Sequence, residues 1–120
     1  MRILVADDNP AVREFLATVL EEAGFEVSQA SDGAETLKRF RESPADLVLC
    51  DVFMPAKDGL EIIKVLRGEH PAIKIIAISG DSSALDMLRV AQFLGATEVL
   101  SKPIDVAKLL STVRRVLRIN

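Results

Sequence analysis

The chain has 120 residues, 49% of them apolar and 28% charged, and a net charge of −3. That length fits one domain, residues 1–120, able to bury roughly two-thirds of its unfolded surface. The acidic balance argues against a general nucleic-acid or membrane-surface binder. The sole cysteine, Cys50, excludes an internal disulfide and suits a reducing cytosol. No run approaches the roughly 18 apolar residues of a membrane span, and the N-terminal apolar run is too short for a signal peptide.

Short apolar runs alternate with amphipathic stretches. Residues 3–6 read as a strand. Asn9 then caps a helix with Pro10 at its first position, where a missing N–H costs nothing. Val12, Phe15, Leu16, Val19, Leu20 and Ala23 fall on one helical face, and Gly24 stops that helix. Residues 25–29 form a second strand. Asp32 and Glu35 have capping-box spacing and open a helix to about Arg41. Residues 46–50 are the third strand. Asp58 and Glu61 repeat the capping-box spacing ahead of a helix to about Arg67. Residues 73–78 are the fourth strand. A cap within 81–83 opens a helix to about Leu94, ended by Gly95. Residues 97–100 are the fifth strand, and Asp105 starts a last helix with Val106, Leu109, Leu110, Val113 and Leu117 inward.

Five βα units imply a parallel sheet with helices on both faces. The first, third and fourth strands are almost wholly apolar, as strands covered on both faces should be. The second alternates and the fifth is half polar, which suits the edges. The expected fold is therefore an α/β flavodoxin-like (βα)5 doubly wound sheet of strand order 2-1-3-4-5.

Such sheets bind ligands beyond the carboxyl ends of the strands, at the switch point between strands one and three. Strand one ends in Asp7-Asp8 and strand three in Asp51. Strand four ends in Ser79-Gly80 and strand five in Lys102-Pro103. Three carboxylates this close repel one another unless a cation is present. A hard divalent ion with oxygen ligands resolves that conflict, and Mg²⁺ does so with few carboxylates and several waters. With the Lys102 ammonium and the Ser79 hydroxyl, the rim suits a dianionic phosphoryl group. A carboxylate there can act as nucleophile and form an aspartyl-phosphate.

Asp7-Asp8, Asp51-Val52-Phe53-Met54-Pro55 with Asp58-Gly59 behind it, Ser79 and Lys102-Pro103 resemble the receiver domain of two-component response regulators, over about residues 2–118. The resemblance implies that Asp51 is the phosphoacceptor. Asp8 would bind Mg²⁺ (or Mn²⁺) directly, Asp7 mainly through water, and the Phe53 carbonyl would be a backbone ligand. Lys102 would pair with Asp51 and then with a phosphoryl oxygen, and Ser79 would hydrogen-bond another. The Lys102–Pro103 bond would be cis. Met54, Pro55 and Gly59 would shape the turn beside the site, and the apolar flank would shield the acyl phosphate from water.

Two positions depart from the family pattern or bear on it. Val99 stands where many receivers carry Tyr or Phe, and a β-branched valine is too short and stiff to swing as that aromatic does. Gly80 leaves room for a phosphodonor. His70 reads as a surface residue, and Lys108, Arg114, Arg115 and Arg118 as a solvated helix face.

The resemblance implies a cytoplasmic signalling domain rather than a turnover enzyme. Its partners would be a sensor histidine kinase or phosphotransfer protein and a downstream protein. The latter would dock on the fourth helix, fifth strand and fifth helix, on a monomer or weak dimer. Membrane and direct nucleic-acid contact are not expected, since no helix-turn-helix lies outside the fold. The chain would be a stand-alone receiver or a piece of a larger regulator or hybrid kinase. The rival readings are a docking module that never sees phosphate, and a turnover phosphatase. The phosphatase pattern wants a second Asp two residues after the first, and Asn9 and Pro10 stand there instead.

Overall fold

Five parallel strands pair in the order β2-β1-β3-β4-β5. They are β1 (Arg2–Ala6), β2 (Glu26–Ala30), β3 (Leu47–Asp51), β4 (Lys74–Ser79) and β5 (Glu98–Ser101). The helices are α1 (Pro10–Glu22), α2 (Gly33–Glu42), α3 (Gly59–Glu69) and a C-terminal helix (Val106–Leu117). The computed structural model describes residues 1–52, 59–80, 89–92 and 94–119. Of the helix expected over 81–94, residues 89–92 and 94 are helical. Its cap at 81–83, the Asp58 cap of α3, and Phe53, Met54 and Pro55 lie outside the described residues.

Helix starts follow the local chemistry of their caps. The Asn9 side chain accepts from the Ala11 and Val12 N–H groups, at 3.0 and 3.3 Å. Asp32 accepts from the Glu35 N–H at 2.8 Å and Asp105 from the Lys108 N–H at 3.0 Å. The Glu35 carboxylate reaches back to the N–H of Ser31, one residue before the cap, so the box closes one residue wide of its usual form. Gly24 and Gly95 end their helices at φ +100° and +126°, a region that disfavours side chains.

Strand alternation sorts the core into two layers. Leu4, Ala6, Val48, Cys50, Ile75 and Ala77 face α2, α3 and Ala91. Ile3, Val5, Leu47, Leu49, Ile76 and Ile78 face α1 and the C-terminal helix. Cys50 is fully buried, a small hydrophobe in the first layer. The two-sided burial of β1, β3 and β4 is what their apolar composition requires.

Four of the strands sit one residue later than the apolar runs suggest. The ladder follows backbone pairing rather than hydrophobicity, so it carries on to Asp51, opposite Ile78, and to Ser79, opposite Ser101. Phe15, expected inward on α1, is 48% exposed; Leu16, Ala17 and Leu20 cover the sheet instead. Val106 is likewise exposed, while Thr112 and Val116 join Leu109 and Val113 inside. Both strays stand at the edge of a broad apolar stripe. His70 is half-buried rather than free on the surface, its ring edge-on to Phe40 at 4.7 Å. No helix among the described residues is long and apolar enough to cross a membrane.

Candidate functional site, an acidic pocket at the strand ends

Register alone brings the acidic residues together. Ala6 pairs with Cys50, so Asp7 and Asp51, one residue on, stand level on adjacent strands. By the pleat they continue the rows Ile3–Val5 and Leu47–Leu49, on the α1 side of the sheet. The Asp7 N–H bonds to the Ala30 carbonyl at 3.1 Å, and the Val52 N–H to the Ile78 carbonyl at 2.9 Å, which carries the ladder past the last apolar residue. Asp7, Asp8 and Asp51 each offer one carboxylate oxygen, and these oxygens lie within 4.8 Å of one another. Asp7 is 1% and Asp51 4% exposed, whereas Asp8 faces solvent.

Lys102 reaches into this cluster from the end of β5. Its N–H bonds to the Ser79 carbonyl at 2.8 Å, which sets the start of the side chain beside β4. Its ammonium lies 3.2 Å from Asp51 Oδ2, as a hydrogen bond, and 3.0 Å from Asp7 Oδ2, as an ion pair. Burial alone would depress the pKa of this ammonium. Contact with Asp7 and the charges of Asp51 and Asp7 outweigh burial and hold it above its ordinary value. Lys102 therefore stays charged and offsets part of the acidic excess.

Two glycines make the approach fit. A Cβ on Gly59 would collide with the Asp51 carbonyl oxygen and the Val52 backbone. A Cβ on Gly80 would lie 2.9 Å from Lys102 Cδ. The Lys102–Pro103 peptide is cis. Val99 is half-buried against the α2–α3 layer. Ser79 is fully buried, and its hydroxyl has no hydrogen-bond partner among the described residues. A buried hydroxyl left so is costly. A ligand that brings an acceptor would satisfy it.

The residues fit a hard divalent cation. Among the described residues three carboxylate oxygen donors converge with no soft ligand among them, beside the Lys102 ammonium. Two contacts behind the site carry no sequence signature. Arg13 Nη1 donates to the Asp7 carbonyl oxygen at 2.9 Å, and its Nε to Gln29 Oε1 at 3.2 Å. Nothing in the spacing tells an arginine on the first turns of α1 to fold back onto the preceding loop.

An open parallel α/β sheet with an acidic, cation-seeking pocket at its switch point, closed by a lysine from the last strand, defines a class of signalling domain. The chain belongs to the response regulator receiver domain family, which residues 3–114 match. It is 43% identical over 115 residues to the CAI-1 autoinducer sensor kinase/phosphatase CqsS of Vibrio cholerae, covering 93% of this chain and 17% of that one. It is 39% identical over 119 residues to response regulator MprA of Mycobacterium tuberculosis, covering 98% of this chain and 51% of that one. The chain thus spans from about a sixth to about half of such relatives. Among solved structures, the receiver domain of NtrX from Brucella abortus superposes with a TM-score of 0.92 at 27% identity, over 98% of this chain and 99% of that one. Chemotaxis response regulator CheY4 of Vibrio cholerae gives 0.87 at 31% identity, over 96% and 97%.

Proposed function

We propose that this domain is a phosphorylation-controlled switch in two-component signalling, with Asp51 as its phosphoacceptor. The convergence of three carboxylate oxygens within 4.8 Å, with the Lys102 ammonium in contact with two of the residues, carries the reading. Asp51 Oδ attacks the phosphorus of a phosphohistidine on a sensor kinase or phosphotransfer protein, or of a small donor such as acetyl phosphate. The phosphorus–nitrogen bond of the phosphohistidine breaks, and its electron pair leaves with the imidazole. Lys102 holds one phosphoryl oxygen and the Ser79 hydroxyl donates to another. Asp8, Asp7, Asp51 and the Phe53 carbonyl would hold Mg²⁺, or Mn²⁺, which when bound neutralises charge on the transferring group. Attack of water on the phosphorus releases inorganic phosphate and restores the Asp51 carboxylate.

The remaining family roles come to this chain on the same footing. Met54, Pro55 and Gly59 shape the turn beside Asp51, and Pro103 fixes the path after Lys102. Gly80 keeps the rim open. The domain acts as one unit over residues 1–120, in the cytoplasm, and accelerates its own phosphorylation and hydrolysis without a turnover substrate. Its output is a protein surface on the helix around residues 89–94, β5 and the C-terminal helix. Relatives include a "DNA-binding response regulator", MtrA. For this domain, with its net charge of −3, no direct nucleic-acid contact is proposed. The test is incubation with Mg²⁺ and acetyl phosphate, with Asp51→Asn as control, read by intact mass. A Mg²⁺-dependent single phosphoryl adduct on the wild type alone is expected. No adduct, and no spectral response to beryllofluoride, would leave a docking module that never sees phosphate.

A further inference from the structure

We propose that Arg13 is a positioning residue for the metal-binding carboxylates, acting through the backbone of Asp7 and braced by Gln29. The inference rests on the proposed cation site and adds a residue to it. Asp7 is held at three points. Its N–H bonds to Ala30 of β2, its Oδ1 accepts from the Asn9 N–H at 2.9 Å, and its carbonyl oxygen accepts from Arg13 Nη1 at 2.9 Å. Those three contacts use the backbone and one carboxylate oxygen. They leave Oδ2 turned toward Lys102 and the pocket.

The first two contacts are local or belong to the sheet. The third is neither: a charged side chain from α1 crosses back to the loop that carries Asp7 and Asp8. Its guanidinium is half-buried and spans two elements, with Nη1 on the loop and Nε on Gln29 of β2, 3.2 Å away. A planar fork with fixed donors can hold both partners at once, which a lysine cannot. Gln29 pairs with Val5 in register, so the brace ends beside the strand that feeds the acidic pair. Outer partners of this kind, which orient the groups that touch a metal, typically change metal affinity about 10- to 100-fold when removed.

Charge and position make opposite predictions, which lets the experiment decide. Arg13 is a cation behind a cation site. Were its charge the main influence, removing it would tighten Mg²⁺ binding. Were it only a structural prop, removing it would lower thermal stability and leave Mg²⁺ affinity alone. Acting through Asp7, its removal loosens the loop and weakens Mg²⁺ binding despite the lost repulsion.

The experiment is titration of the whole chain with Mg²⁺ alone, by calorimetry, for wild type, Arg13→Met, Arg13→Lys and Gln29→Ala. Thermal unfolding of each is measured in parallel. Expected are a roughly tenfold weaker Mg²⁺ affinity for Arg13→Met, and smaller losses for Arg13→Lys and for Gln29→Ala, which keep the charge and lose the fork. Gln29→Ala also serves should Arg13→Met fail to fold. Unchanged or tighter binding in the folded variants, beside a wild type that binds, would overturn the inference and leave the cation site standing. A wild type that binds no Mg²⁺ would overturn both.

Discussion

Replacing Lys102 by methionine keeps the length of the stem and removes an ammonium in contact with both Asp7 and Asp51. In the metal-free protein, Asp7 (1% exposed) and Asp51 (4%) would then face each other across the β1–β3 step without their shared cation. Breaking a buried ion pair from one side costs about 3–5 kcal/mol. The lower end applies, because the Lys102 side chain is 23% exposed and water reaches the ammonium. A loss of about 3 kcal/mol corresponds to a fall in Tm of roughly 12 °C for a domain of this size. Saturating Mg²⁺ should restore more of the stability of the variant than of the wild type, since the metal supplies the charge that lysine no longer does. The pH dependence has a definite sign. A lysine whose folded pKa is raised contributes fully below about pH 10.5 and loses its contribution as pH rises through the higher folded value. Urea midpoints of the two proteins should therefore differ most near neutral pH and converge in the alkaline range. A metal-free Lys102→Met protein as stable as wild type in low salt would refute the charge argument.

Asp51→Asn should be more stable than wild type without metal, by about 1 kcal/mol, because it removes one of three carboxylates whose oxygens lie within 4.8 Å of one another; denaturant titration in low salt checks the sign. Ser79→Ala should leave stability unchanged or raise it by about 1 kcal/mol, as it deletes a buried hydroxyl with no partner among the described residues. The same variant should slow adduct formation with acetyl phosphate, read by mass spectrometry. Gly59→Ala should cost about 3 kcal/mol or more, since its Cβ would meet the backbone of Asp51 and Val52 rather than a movable side chain; thermal unfolding measures it. Gly80→Ala meets only the flexible Lys102 stem, so its cost should stay under about 1 kcal/mol.

Sheet order and pocket location were legible in the sequence because strands apolar on both sides mark the interior of the sheet and the polar residues that end them mark its rim. Runs such as Leu47–Cys50 suit the interior of the sheet, which supports the order 2-1-3-4-5, and the strand pairing then sets the switch point between β1 and β3. Strand ends were less legible. Hydrophobicity stops at Cys50 and Ile78, but pairing continues to Asp51 and Ser79, where backbone hydrogen bonds outlast the apolar run. Phe15 and Val106 show the limit of helical periodicity: a stripe wider than its contact leaves its edge residues exposed, and sequence does not say which edge. The Arg13 fork was illegible for a different reason. A long side chain reaches the loop before its own helix through rotamers, which the spacing of residues does not encode.

The buried Ser79 hydroxyl, without a partner among the described residues, would be a source of switching energy. A shift from 1% to 99% of an active form takes about 5.5 kcal/mol of differential stabilisation. A phosphoryl group on Asp51 would give the Ser79 hydroxyl an acceptor and Lys102 a dianion. The new charge-assisted bond from Ser79, at about 1.5–3 kcal/mol, would supply up to about half of that sum, while Lys102 would exchange its present carboxylate contacts for the phosphoryl oxygen. Neither contribution would depend on the side chain at position 99, so Val99 would bear on how the change is displayed rather than on whether it is driven. Both act at the joined ends of β4 and β5, where the Lys102 N–H already holds the Ser79 carbonyl. The change should therefore spread along that pair of strands to the C-terminal helix that packs behind Leu100. Amide shifts on adding beryllofluoride and Mg²⁺ should run through β5 into residues 106–117. Shifts confined to the residues around Asp51 would show that the strand ends do not carry the signal.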